Sequence, residues 1–449
     1  MRGVKGRAVS AHRFAPIAVA GCLVVASCSE TVGPPAATPT TSTSAAKTTT
    51  GKAAAPPPIT GPLEKDWKSY GGTAYFGCPE KFSQGNTALQ DIRPKIFDTK
   101  TGQYVTPAVP AVAAGEKLTG AICALTGTTE DMKVVYIVST VKPAQAPEPE
   151  VGKATAYAFD MKAGQPLVTK ELQPPAPELR LTAPAGWALA STASGVAWVN
   201  AFTDGHAAAS PPRTVILSSA DLSTAWDDPQ PGRVWQDVLA FQRNTDPTKT
   251  SGAELRRPSG EAIYQDNDIA TVDAELSDGP DHLVKITRSD PANPAALSTT
   301  FYDLNAKAPI KVGDSDRISG GGLSATLSDG KLFVDGRDSD TSQFGFGVWD
   351  LRTQKWDLLK TRDDAKSMAI SKLAFFQDHL YVTHQGNTFA VLALPAAEPI
   401  STTWSVRPFA RISGWTLECR GENAAALNGD CKEIVMVQDQ DGRFPGPWF

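Results

Sequence analysis

Two neighbouring stretches of this chain carry the same pattern, and that repetition limits what the chain can fold into. In the first, the turn Asp329-Gly330 precedes the apolar run Leu332-Phe333-Val334, and after a polar loop Phe346-Gly347-Val348-Trp349 returns to Asp350. In the second, Asp378-His379 precedes Leu380-Tyr381-Val382, Gly386-Asn387 makes the turn, and Phe389-Ala390-Val391-Leu392 comes back. A short Gly/Asn/Asp turn between apolar runs predicts a β-hairpin, because these residues accept the positive φ that such turns need. Recurrence of that unit every few tens of residues predicts small sheets arranged radially.

Weaker copies occupy the rest of the chain. Gly72-Thr73-Ala74-Tyr75-Phe76 is followed by Lys95-Ile96-Phe97-Asp98, 132–138 by 156–160, and 195–199 by 214–217. Strands are expected at 262–272 and 282–286, with Phe301-Tyr302-Asp303 returning, and finally at 415–417 and 433–437. The region 225–259 is the least regular, and 234–241 reads equally as strand or short helix. At 363–376 helical letters follow an Asp, yet strand is favoured for 373–376. The hairpins number about seven, which over 63–449 gives roughly 55 residues each, somewhat long for a propeller repeat. The expected fold is therefore all-β: a single β-propeller over 63–449 with seven blades, six or eight remaining open. The 35 prolines and 37 glycines suit many short strands and turns.

The N-terminus reads as an export signal. Arg2, Lys5, Arg7 and Arg13 precede an apolar run over 14–26, roughly 20 Å as a helix against the ~30 Å of a bilayer core. The run ends in Val25-Ala26-Ser27-Cys28, which resembles the bacterial lipobox, where a small residue precedes a Cys that is acylated before cleavage. The resemblance implies a signal peptide over 1–27, a lipid on Cys28 and a place on the extracytoplasmic face of a bacterial membrane. Val19-Ala20-Gly21-Cys22 fits the same letters. Its apolar core is shorter, and cleavage there would strand Cys28 as a fifth thiol. The segment 28–62 is rich in Ser, Thr, Pro and Ala, with almost nothing large and apolar to bury; it is expected to be a disordered tether.

Export implies an oxidising space in which Cys78, Cys123, Cys419 and Cys431 pair. No C-x2-C spacing or nearby His points to zinc. Pairing within each end of the chain, Cys78 with Cys123 and Cys419 with Cys431, is favoured; pairing across the ends, which would lock the ring, is the alternative.

Phe97-Asp98-Thr99-Lys100-Thr101-Gly102 and Phe159-Asp160-Met161-Lys162-Ala163-Gly164 resemble the A-x-D-x-x-T-G segment of PQQ-type propeller repeats, and Tyr302-Asp303 and Trp349-Asp350 look like degenerate copies. The resemblance implies a propeller. Quinoprotein dehydrogenases of that fold carry adjacent cysteines over the quinone; none are adjacent here, so no cofactor is expected. There is no G-x-S-x-G, H-E-x-x-H or phosphate loop. His379 and His384, the acids Asp266, Asp268, Asp273 and Glu275, and Asp439-Gln440-Asp441-Gly442 read as turn and surface groups before they read as a metal site, so no metal is expected. The net charge of −5 and the lack of dense Lys/Arg blocks speak against nucleic acid. The expected function is a membrane-anchored, monomeric binding or scaffolding module for an envelope protein or glycan. An extracellular hydrolase or lyase acting on a polymer is the alternative, with a sensor for a membrane kinase behind both.

Overall fold

Seven consecutive residues, Val134 to Thr140, are buried within the strand Lys133–Lys142, and all five residues of Phe346–Asp350 are buried. A strand with one wet face would alternate. These strands must therefore lie in sheets that are covered on both sides. The computed structural model describes Ile59 to Phe449 apart from 61–66, 79–82, 85–88, 144–150, 173–179, 182–188, 204–212, 244–251, 337–344, 422–426, 428–430 and gaps of one to three residues elsewhere. The signal over 1–27, both Cys22 and Cys28, and nearly all of the tether 28–62 lie outside the described residues.

The strands form eight radial sheets. In chain order the blades span 67–105, 117–172, 189–228, 232–266, 270–310, 323–360, 370–401 and 406–438. Within each, successive strands pair antiparallel, and the first strands of neighbouring blades lie against one another around the axis. Blade 8 supplies only three strands of its own. Its fourth is Ile59–Thr60, with Ile59 opposite Ile434 and Thr60 opposite Glu433. The two residues drawn at the end of the tether thus belong to the propeller.

Blade number corrects the expectation of seven. The missing blade is blade 4, which occupies the region read as irregular: Gly232–Trp235, Val238–Arg243, Gly252–Arg256 and Ala262–Asp266 form one sheet. The stretch 234–241, left between strand and helix, is two strands of a hairpin. The single strand expected over 262–272 is two, Ala262–Asp266 ending blade 4 and Ala270–Asp278 opening blade 5. With eight blades the mean repeat falls to roughly 48 residues, inside the usual propeller range. The stretch 363–376 is divided: Arg362–Ser367 is a helix and Ile370–Phe376 a strand. The helix is capped by Thr361, whose hydroxyl accepts from Asp364 N, while the Asp364 carboxylate accepts from Thr361 N at 2.8 Å.

Trp415 fastens the seam between blades 8 and 1. Its ring meets Phe97 edge-on at 4.9 Å, and its Nε1 donates to Thr99 O at 2.9 Å. Gly102 turns there with φ 66°, and a Cβ on it would sit 3.1 Å from the Trp415 ring, so the close approach and the backbone both select glycine. Nearer the axis Trp67 of blade 1 meets Phe409 of blade 8 at 6.1 Å. Truncation of Trp415 to Ala removes this wedge from a buried site. It is expected to cost about 3–5 kcal/mol, read as a lowered denaturation midpoint without loss of the β-sheet circular dichroism of the folded state.

Candidate functional site

Antiparallel order separates the two faces of the ring. Strands 1 and 3 of each blade run one way and strands 2 and 4 the other. The 1→2 and 3→4 connections therefore share one face, and the 2→3 and blade-to-blade connections share the opposite one. On the first, the turn face, no connection between strands exceeds the seven residues of 161–167. Asp329-Gly330 and Ser413-Gly414 turn there with both residues at positive φ. The opposite, loop face carries the longer segments, among them 77–94, 173–188, 311–322 and 421–432.

The 3→4 turn explains the Asp signature. Asp98 accepts from Lys100 N at 3.0 Å and from Thr101 Oγ1 at 2.9 Å, while its carbonyl accepts from Gly102 N at 2.8 Å. Asp350 Oδ1 accepts from Thr353 N at 2.7 Å, and those turn amides hold its carboxyl below the usual aspartate range. Ser218 does the same work in blade 3, accepting from Ala220 N at 3.1 Å. Blade 7 forms the turn with no side-chain acceptor, Ala397 N donating to Ala393 O at 2.7 Å. These aspartates are turn residues.

Over blades 6 to 8 the turn face is occupied by the chain's own final segment. Arg411 holds Asp439 at 3.1 Å, Asp329 at 2.9 Å and the carbonyl of Gly442. Arg443 reaches Asp378 at 2.8 Å, Trp448 stacks on His379 at 3.8 Å, and Tyr381 donates to Trp448 O at 2.6 Å. Phe444 is buried between Phe376 and Trp448. The segment 439–442 is thus a turn bound by arginine. His379 and His384 stand at the two ends of one strand, His379 bonded to Asp378 and His384 to Met368 O.

On the loop face the chain adds structure of its own. Cys78, in the 2→3 connection of blade 1, is joined to Cys123 in the first strand of blade 2, and the same connection lays Ser83–Gln84 along that strand. Cys431, in the 2→3 connection of blade 8, is joined to Cys419. Arg180–Leu181, leading into blade 3, pairs with Phe202–Thr203 in the 2→3 connection of that blade.

Carboxylates at the ends of the fourth strands are held by arginines of the following blade. Asp228 of blade 3 takes Arg256 of blade 4 at 2.8 Å, and Arg256 also bonds Glu254 at 2.5 Å and lies over the Phe241 ring at 5.2 Å. Asp266 of blade 4 takes Arg288 of blade 5 at 2.6 Å, with Tyr264 donating to the same oxygen at 2.8 Å. Each pair joins two adjacent blades through a charge-assisted hydrogen bond to a buried carboxylate. Asp268 lies outside the described residues, and the strand Ala270–Asp278 carries Asp273 and Glu275. Among the described residues no three His, Cys, Asp or Glu side chains come together as a metal site. Nothing in the sequence marks Arg256 or Arg288 as the partner of these carboxylates, because each pair forms across the boundary between two blades.

No family model matches this sequence, and no curated protein matches it. Solved structures do. BamB from Moraxella catarrhalis is 11% identical with a TM-score of 0.34, over 74% of this chain and 99% of that chain. The computationally designed Ika8 protein is 10% identical with a TM-score of 0.36, over 85% and 96%. The β-propeller domain of the Trilobed protease from Pyrococcus furiosus is 10% identical with a TM-score of 0.31, over 74% and 97%. At these identities and TM-scores the likeness carries no argument about this chain. The strand topology itself defines the class: an eight-bladed β-propeller.

One buried carboxylate gives a pH test. Glu418 is fully buried between blades 7 and 8; Arg420 bonds one oxygen, and the other has no hydrogen-bond partner among the described residues. Desolvation pushes its carboxyl above the ordinary glutamate range despite Arg420. A raised folded-state value means the native protein holds this proton more tightly than the unfolded chain. The contribution is full below the ordinary glutamate range and is lost as pH rises through the raised value. Glu418→Gln is expected to raise the melting temperature by a few degrees at pH 7 and to give no gain in acid, below that range.

Proposed function

We propose that this chain is an envelope lipoprotein, anchored through Cys28, whose propeller is a binding or scaffolding module working through its loop face. The observation that carries the reading is the division of the two faces. One is closed by tight turns and by the final segment; the other bears the long connections, both disulfide-tied loops and the added strand pairs. A rigid ring that presents variable loops on one side is how such scaffolds hold recognition surfaces. Ile59–Thr60 completes blade 8 at its outer edge. That strand runs antiparallel to Glu433–Gln438 and so heads toward the loop face. Acyl chains bind a membrane by about 0.8 kcal/mol per buried CH₂, so two or three of them hold a protein there durably. In the membrane fraction, mass spectrometry is expected to find an acylated N-terminal Cys28, and Cys28→Ala to release the protein into the soluble fraction. An unmodified N-terminus, or retention of the variant, would remove the anchor from this reading.

A further inference from the structure

Blade 5 is built differently from its neighbours. Its third strand, Asn293–Asp303, has eleven residues, but the fourth strand, Ala308–Ile310, pairs only with Phe301, Tyr302 and Asp303. In blade 6, by contrast, every residue of Phe346–Asp350 has a partner in Lys355–Lys360. Among the described residues, no strand lies along the outer side of 293–300. Register shows which backbone groups face outward there. Leu304 N donates inward to His282 O at 3.0 Å, and Pro309, which has no N–H, stands opposite Tyr302. Even-numbered residues therefore bond to the second strand, and odd-numbered ones point away from it. The pairing continues without a shift from Asp303 back to Leu297. Leu297 and Thr299 thus turn both N–H and C=O outward.

The edge is held ready. Thr299 Oγ1 accepts from Leu323 N at 3.0 Å, and Gly322 lies against Leu297 and Thr299, so the entry to blade 6 braces the strand. From Asn293 to Tyr302 there is no charged residue, and Leu297 is 39% exposed. Natural edges of this kind are normally blunted by charge, bulges or a covering element. Here such devices stand only at the far end among the described residues: Pro294 and the register shift between Asn293 and Leu297, which leave 297–300 regular.

We propose that this edge receives an extended, uncharged peptide segment of a partner protein as an added strand. The proposal rests on the binding-module reading and names a surface and a ligand class for it. Main-chain donors and acceptors at the spacing of a β-ladder recognise an extended backbone and nothing more compact. The uncharged edge favours an uncharged strand. A second copy fits less well: removal of 1–27 takes Arg2, Lys5, Arg7 and Arg13 from the net charge of −5, and two copies of −9 repel.

The test uses the full chain and a synthetic octapeptide of alternating valine and threonine, with hydrogen exchange of the Leu297 and Thr299 amides as readout. Added peptide is expected to slow exchange at both, and a peptide N-methylated along one edge to leave them unchanged. Leu297→Pro removes an outward N–H without touching the inward ladder; it is expected to weaken binding about tenfold while keeping the melting temperature. Ser298→Pro, which breaks the inward ladder, serves as the unfolding control. Three results would overturn the proposal. The amides could already be protected in the dilute chain alone, protection could follow protein concentration without peptide, or peptide could fail to protect them at millimolar concentration. An unacylated Cys28 would instead strike the anchor and leave the edge standing.

Discussion

A four-stranded sheet with two apolar faces cannot stop on its own. Each blade here has its two faces covered by its two neighbours, so the array is stable only when the last blade meets the first. That closure rests on a very short contact: Ile59–Thr60, at the start of the described chain, pairs beside Glu433–Gln438 near its end. Trp415 against Phe97 and Thr99 completes the seam in side chains. The remaining interfaces repeat the same packing, with the arginine latches at Asp228 and Asp266 adding directional restraint to apolar surfaces that have none.

Antiparallel pairing also decides where function can reside. Because strands alternate in direction, short connections collect on one face and long ones on the other without any further instruction. The turn face then loses its remaining openness to Arg411, Arg443, Phe444 and Trp448, which bind the final segment across blades 6 to 8. The loop face keeps its reach, and disulfides tie two of its connections to neighbouring strands. In blade 5 the third strand outruns the strand that covers its edge.

Architecture was legible in the sequence where turn chemistry was explicit. Asp98, Asp303 and Asp350 mark 3→4 turns, and the expectation of a propeller followed from them. The same backbone turn is also made without an aspartate, from Ser218 in blade 3 and Ala393 in blade 7, and Leu222, Lys307, Gln354 and Ala397 all sit at positive φ in the position that Gly102 fills in blade 1; no propensity rule would choose them. Blade 4 escaped because Pro229 and Pro231 stand just before its short first strand and the polar stretch 244–250 separates its second strand from its third. Candidate function was less legible still. Arg256 and Arg288 find their carboxylates only after two blades come together, and an uncovered edge is a property of register, which composition does not reveal.

The central claim is that the ring is shut by the strand preceding blade 1. Calorimetry of two chains, one beginning at Ala53 and one at residue 63, tests it most directly. The account predicts that the shorter chain, lacking Ile59–Thr60, melts in one transition at a clearly lower temperature, because every blade depends on the seam. Coincident melting curves for the two chains would contradict it.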